Sequence, residues 1–261
     1  MIINFLKKIQ YKYKMNQYPK SNKKFDDETI KISSNLKKDG FYLFKDFDKV
    51  NLNAKKLSIF FSNLDKNLVE NYINKKKINA KGKHTYKITC TELFNKIDLL
   101  NFGKDVFFLE KIASYFGFEP HLQHISAWID IPNDEYFNDP ISTQLFHRDY
   151  DDLKLIKTFF YLTDVKKENG PFEFIKGTHK CPYFIIKNEN GTNYNDLILK
   201  KFGADNLVSF EAPKNTMIMA DTNGFHRGRK LEKGLRVLIT CMYTSLKPYW
   251  GKSEKENLFL N

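Results

Sequence analysis

Two short polar clusters carry most of the chemistry available to this 261-residue chain. The first, Gln144 to Lys180 (QLFHRDYDDLKLIKTFFYLTDVKKENGPFEFIKGTHK), opens on His147-Arg148-Asp149. On an extended segment, side chains two residues apart point the same way. His147 and Asp149 would therefore supply two of the three ligands of an open iron site from one local stretch. The second cluster, Asp221 to Arg236 (DTNGFHRGRKLEKGLR), supplies His226 just after an expected strand and Arg236 at the start of the next. With 6 His and 18 Asp in 261 residues, chance alone supplies about 0.4 His-x-Asp pairs. The pair thus acquires meaning only from its distant partners.

Two imidazoles and one carboxylate on one face of a metal leave three coordination positions open, the arrangement suited to a non-haem Fe(II) oxygenase. The open positions accept a co-substrate and then O2. If that co-substrate is a 2-oxo acid, its distal carboxylate needs a cation, and the planar fork of arginine meets a carboxylate bidentately. Arg236 lies on the right element for that task.

Such residues must be brought together by a scaffold, and the chain divides into two parts. From Glu28 to about residue 118 it is mostly helical: helices are expected over Glu28–Lys38, Asn51–Lys77, Glu92–Leu100 and Asp105–Phe116, with Gly40 stopping the first and Phe41–Phe44 forming a strand. Asn101-Phe102-Gly103 separates the last two helices, and residues 78–90 form a loop leading to a strand. After Pro120 the pattern changes to strands: the alternating HLQHISAWIDIP, then Leu155–Leu162, Phe172–Ile175, Leu207–Phe210, Thr216–Ala220 and Leu235–Thr244. Short strands punctuated by Gly, Asn and Pro indicate a sandwich or barrel with helices packed on one face.

A hydrophobic content of 41%, with 24 Phe and 14 Tyr, is ample for a core and excludes disorder. Three cysteines without paired spacing suggest neither a disulfide framework nor a zinc site. The net charge of +12 is scattered over the chain, so a solvated basic surface is the simpler reading, and no aromatic-basic motif points to nucleic acid. No apolar run is long enough to span a bilayer. In residues 1–15, Ile2, Phe5, Leu6, Ile9 and Tyr13 recur at helical spacing among lysines. Docking of this amphipathic segment onto the protein's own core is the expected outcome, with contact to an anionic membrane surface as the alternative. Residues 16–27 read as a linker, 28–250 as one domain (helical part about 28–118, barrel about 119–246) and 251–261 as a tail. The expected location is cytoplasmic, or peripheral at the inner face of a membrane.

The sequence resembles the phytanoyl-CoA dioxygenase-like Fe(II)/2-oxoglutarate oxygenases over roughly Leu36 to Leu246. The matching parts, in order, are LKKDGFYLF, QLFHRD, FFYLTDVKKENGPFEFIKGTHK, DTNGFHRG and RVLITCMY. The resemblance implies a double-stranded β-helix, a squashed antiparallel barrel flanked by helices. It implies Fe(II) bound by His147, Asp149 and His226, 2-oxoglutarate held at its C5 carboxylate by Arg236, and O2 as the oxidant. Gly228 stands where relatives often carry a hydroxyl residue that assists the arginine, so Thr158 or Tyr161 on the neighbouring strand is the expected substitute. Lys176 replaces a frequent proline. Asp149 stands where halogenating relatives have Gly or Ala, which favours hydroxylation.

Other polar residues have structural readings. His121, His124 and His179 are expected to be hydrogen-bonded core or loop residues, with His179 stabilising its turn, and His84 is expected to be exposed. Asp151 and Asp152 read as solvated neighbours of Asp149, and Asp221 as ordering the turn before His226. The expected function is hydroxylation of an unactivated C–H of a small, anionic metabolite, lipid or sugar-containing substrate. The alternatives are a barrel without catalysis that binds an anionic ligand, and a cupin-like metal enzyme that does not use 2-oxoglutarate. Substrate contacts are expected from the helical part, from Asn133–Thr143 and from Asn188–Asp205.

Overall fold

The computed structural model of the chain describes residues 20–79, 87–132, 142–149, 151–181 and 194–245, together with Tyr13. The amphipathic N-terminal stretch, His84, most of the Asn133–Thr143 loop and the C-terminal tail lie outside the described residues.

Helix α1, Asp27–Asp39, starts where the Asp26 side chain accepts the Thr29 amide at 2.6 Å, and has Asp27 and Glu28 in its first turn and Lys37 and Lys38 in its last. These charges complement the helix dipole at both ends. Gly40 closes it at φ 93°, a left-handed conformation that favours glycine. The chain then enters strand β1, Phe41–Phe44.

The single helix expected over Asn51–Lys77 is instead two, α3 (Leu52–Ser62) and α4 (Lys66–Asn79), preceded by the short α2, Phe47–Val50. The break falls at Asn63-Leu64-Asp65, where Asp65 Oδ1 accepts the Asn67 amide at 2.8 Å and offers the new helix a start. Asn and Asp compete with helix-interior hydrogen bonds and favour such ends. The helix expected over Glu92–Leu100 is also displaced. Thr91–Leu93 is one 3-10 turn, Asn95 caps Ile97 at 2.8 Å, and α5 spans Lys96–Gly103. Asn101-Phe102-Gly103 is therefore the end of a helix and not a separator. Its glycine allows close approach to the sheet, since a Cβ there would stand 2.9 Å from Leu122 Cδ2. Asp105 then caps α6, Val106–Phe116.

The remaining elements are β2 (Lys87–Thr89), β3 (His121–Asp130), β4 (Ile156–Tyr161), β5 (Phe172–Ile175), α7 (Tyr194–Phe202), β6 (Leu207–Ser209), β7 (Met217–Ala220), β8 (His226–Gly228) and β9 (Arg236–Thr244). They build a six-stranded sheet of order β1-β7-β4-β9-β3-β2 and a three-stranded sheet of order β6-β5-β8, with every named pairing antiparallel. This is the expected double-stranded β-helix. The two strands contributed by the helical part, β1 and β2, take the two edges of the large sheet.

Period-two alternation divides the large sheet into two faces. Ile125, Ala127 and Ile129 of β3, Ile156 and Phe160 of β4, and Val237, Ile239, Cys241 and Tyr243 of β9 pack with Ile32, Leu36, Phe47, Phe102 and Phe108 of the helical part. Tyr161, Ile218, Ala220 and Leu238 face the other way, against Phe172, Phe174 and Phe210 of the small sheet and its flank. Each buried Phe removes enough apolar surface to contribute about 2–3 kcal/mol. Residues of both functional clusters, His147, His226, Gly228 and Arg236, line one cavity together with Phe159 of the large sheet and Phe172 of the small one. Among the described residues, no helix is long and apolar enough to cross a membrane.

Candidate metal centre

His147 and His226 face each other across an isolated antiparallel bridge, with the His147 amide donating to the His226 carbonyl at 2.9 Å and the reverse bond at 3.0 Å. Two residues on, the Asp149 amide donates to the Thr222 carbonyl at 2.8 Å. The distant clusters are thus stitched together backbone to backbone. His226 opens its own short strand β8, an element not expected from the sequence. Its approach is held by the Gly177-Thr178-His179 turn: Thr178 Oγ1 accepts the Phe225 amide at 2.8 Å and donates to the Ile175 carbonyl at 2.7 Å. Arg148 reinforces the junction by donating to the carbonyls of Asn223 and Cys181.

This frame brings His147, Asp149 and His226 together, with one ligand atom from each lying within 4.8 Å of the others. Each imidazole has its Nδ1 at 2.9 Å from a backbone carbonyl, Leu145 for His147 and Gly224 for His226. A carbonyl only accepts, so Nδ1 carries the proton and the Nε2 lone pair is left for a cation. Burial holds both imidazoles below their ordinary pKa, His226 down to about 3, so both are neutral near pH 7. Burial pushes the Asp149 carboxyl up, but the charges around it, the Lys157 ammonium first, outweigh this and hold it well below the ordinary carboxylate range. Asp149 Oδ2 lies 3.6 Å from His226 Nε2 and 2.8 Å from Lys157 Nζ. Two neutral nitrogens and one anionic oxygen converging on one point are a donor set that fits a divalent first-row metal.

The adjoining cavity, about 100 Å³, is lined by Lys87, Asp130, Lys157, Phe159, Phe172 and Arg236 among others. Arg236 enters it from the start of β9 and is 7% exposed. Its Nε and Nη2 donate to Asp130 Oδ2 at 2.9 and 2.7 Å. Gly228 sits against the same guanidinium, where an added Cβ would be 3.3 Å from Nη2. Of the two hydroxyl substitutes expected near Arg236, Tyr161 is on the inner face, accepting the Phe172 amide at 3.1 Å; burial pushes its hydroxyl up to about 12, with the Arg236 charge working the other way. Thr158 does not reach this space. It pairs in register with Cys241 and Met219, both in the core beneath the helices, while its neighbours Lys157 and Phe159 line the cavity.

The structural readings of the other polar residues divide similarly. Asp221 orders the turn as expected, its Oδ1 accepting the Asn223 amide at 3.1 Å, and it also takes the Tyr115 hydroxyl at 2.5 Å. His179 contacts the Lys37 carbonyl at 3.3 Å and ties its turn to α1. Asp152 is not a solvated neighbour. It is fully buried and accepts the Ser245 amide and hydroxyl at 2.8 and 2.6 Å, fastening the end of β9.

Sequence reasoning missed Lys87, Asp130 and Lys157. Burial lowers the Lys87 ammonium to about 8, with Asp130 working in the opposite direction. Asp130 shares the polar parity of β3 with His124 and Ser126, and that was the available signal; β4 carries no such alternation to single out Lys157.

No family model matches the sequence, and no curated protein matches it significantly. Solved structures do. EctD from S. alaskensis, determined with 2-oxoglutarate and 5-hydroxyectoine, superposes with a TM-score of 0.55 at 12% identity, covering 94% of this chain and 93% of that one. The non-haem α-ketoglutarate-dependent epimerase SnoN of nogalamycin biosynthesis gives 0.53 at 13% identity over 84% of each chain. The carbocyclase SnoK of the same biosynthesis gives 0.50 at 12% identity over 85% of each. At such identities the likeness is one of fold.

Proposed function

We propose that the protein is an Fe(II)- and 2-oxoglutarate-dependent dioxygenase of the phytanoyl-CoA dioxygenase-like kind, hydroxylating an unactivated C–H of a small anionic substrate. The observation that carries this reading is the convergence of His147, Asp149 and His226 within 4.8 Å, with both Nδ1 atoms committed to backbone carbonyls. EctD, SnoN and SnoK, alike in fold, are described with 2-oxoglutarate or as dependent on it. Epimerisation and ring closure among them mean that this fold alone does not select hydroxylation. The Asp149 carboxylate argues against halogenation, because with 2-oxoglutarate and O2 bound it would leave no ligand position for halide.

When bound, iron and the 2-oxo acid supply oxidising power from O2, with succinate and CO2 as co-products. The protein's residues bind and orient. His147, His226 and Asp149 hold the metal from one side. Arg236 takes the distal carboxylate of 2-oxoglutarate, with Tyr161 as its neighbour, while Asp130 fixes the direction of the guanidinium by two hydrogen bonds to one oxygen. The stacked Phe159 and Phe172 rings, 4.3 Å apart, wall the cavity and exclude water. A net charge of +12 and the cavity's Lys87 and Lys157 favour an anionic substrate.

The test is 2-oxoglutarate turnover measured as succinate. His147→Ala or Asp149→Ala should abolish it, and Arg236→Ala should chiefly weaken 2-oxoglutarate binding. Full activity after His147→Ala would refute the assignment.

A further inference from the structure

Lys157 has no part in the donor set, yet it stands against it. It lies on β4 with its side chain 22% exposed, and its ammonium is 2.8 Å from Asp149 Oδ2. That oxygen is also the one 3.6 Å from His226 Nε2, so it is the oxygen turned toward the metal point. An ammonium and a divalent cation would then share one carboxylate oxygen within a few ångströms of each other, in a cavity whose walls are largely protein. Lys87 and Arg236 line the same cavity and add positive charge, against which Asp130 sets one further carboxylate.

We propose that Lys157 competes with the metal for Asp149 and thereby couples metal retention to the binding of an anion in the cavity. With metal alone, the charge of Lys157 weakens the centre. When an anionic co-substrate or substrate group enters, Lys157 gains a second partner, the repulsion is offset, and metal and anion each strengthen the other's binding by the same factor. This inference rests on the metal reading above and adds to it a positioning residue outside the ligand set.

The experiment is calorimetric titration of the full chain with Mn2+, without and with 2-oxoglutarate, for wild type, Lys157→Met, Lys157→Gln and Lys157→Arg. Circular dichroism checks that each variant is folded. Expected is Mn2+ affinity about tenfold tighter in Lys157→Met and Lys157→Gln than in wild type, because a like charge a few ångströms away is removed, with Lys157→Arg close to wild type. The gain in Mn2+ affinity caused by 2-oxoglutarate should be smaller in Lys157→Met than in wild type, because direct chelation persists in both and only the lysine's share is lost. A purely structural lysine would not sort the variants by charge. Unchanged or weaker Mn2+ binding in Lys157→Met, or an equal 2-oxoglutarate effect in both proteins, overturns the proposal. Absence of Mn2+ binding by wild type would instead overturn the metal reading on which it rests.

Discussion

Replacing Asp130 by alanine should be among the most damaging single changes near the cavity, although Asp130 lies outside the His147-Asp149-His226 cluster. Its side chain is 2% exposed and that of Arg236 8%, and two of the guanidinium nitrogens bond to one Asp130 oxygen at 2.9 and 2.7 Å. Removing one partner of a buried ion pair leaves the other desolvated, at about 3–5 kcal/mol. At about 2–4 °C per kcal/mol for a chain near this size, the melting temperature should fall by roughly 6–20 °C. Arg236→Met should cost less, since the carboxylate it leaves behind retains Lys87 as a cationic neighbour. The double variant should be better than the sum of the singles by about 2 kcal/mol or more, measured by urea denaturation in a double-mutant cycle. Additive effects, or a loss below about 1 kcal/mol in Asp130→Ala, would show that Asp130 does not hold the arginine in place.

The same geometry yields two more expected outcomes. Gly228→Ser introduces a hydroxyl beside Arg236 with the Cβ 3.3 Å from Nη2, a contact relieved by a few tenths of an ångström of guanidinium movement. Calorimetry should show 2-oxoglutarate affinity kept or improved a few-fold, whereas loss of binding would mean that the carboxylate does not approach from this side. With metal removed by chelation, the fold should be acid-sensitive in a defined window. His226 is neutral in the folded chain down to about pH 3 and His124 down to about pH 4, whereas both take a proton near pH 6.5 when unfolded. The unfolded state therefore binds more protons below pH 6.5, and stability present above that pH is lost as pH falls toward 4, by roughly 3 kcal/mol for His226 alone. Denaturation midpoints that do not move between pH 7 and 4.5 would contradict the burial of these rings.

A sandwich or barrel with helices on one face was legible because its signals are local: alternation in β3, an apolar run at β4, turn residues between strands, and helical periodicity before Pro120; the double-stranded β-helix itself was implied by the family resemblance. The convergence of His147, Asp149 and His226 was legible for a related reason, since His147 and Asp149 share a face by spacing and His226 comes after a strand and a turn. What escaped was information about faces and ends. Thr158 and Lys157 differ by one position, and nothing local says which of the two looks into the barrel; the structure gives that face to Lys157. In β3 the register shifts between Leu122 and His124, so counting by twos from His121 misplaces the rest of the strand. Asp152 looked solvated among its acidic neighbours because its partner, Ser245, is 93 residues away. The helix boundaries moved where Asn, Asp and Gly had to be weighed against tertiary packing, as at Gly103 against Leu122.

The central claim is that His147, Asp149 and His226 form a metal site that opens onto a 2-oxo acid site at Arg236. Anaerobic titration of the full chain with Fe(II), followed by 2-oxoglutarate, tests it most directly by absorbance. Expected are about one Fe(II) per chain and a new visible charge-transfer band on adding 2-oxoglutarate, with the metal lost in His226→Ala and the band requiring more 2-oxoglutarate in Arg236→Ala. Substoichiometric iron, or iron whose spectrum ignores 2-oxoglutarate, would contradict it.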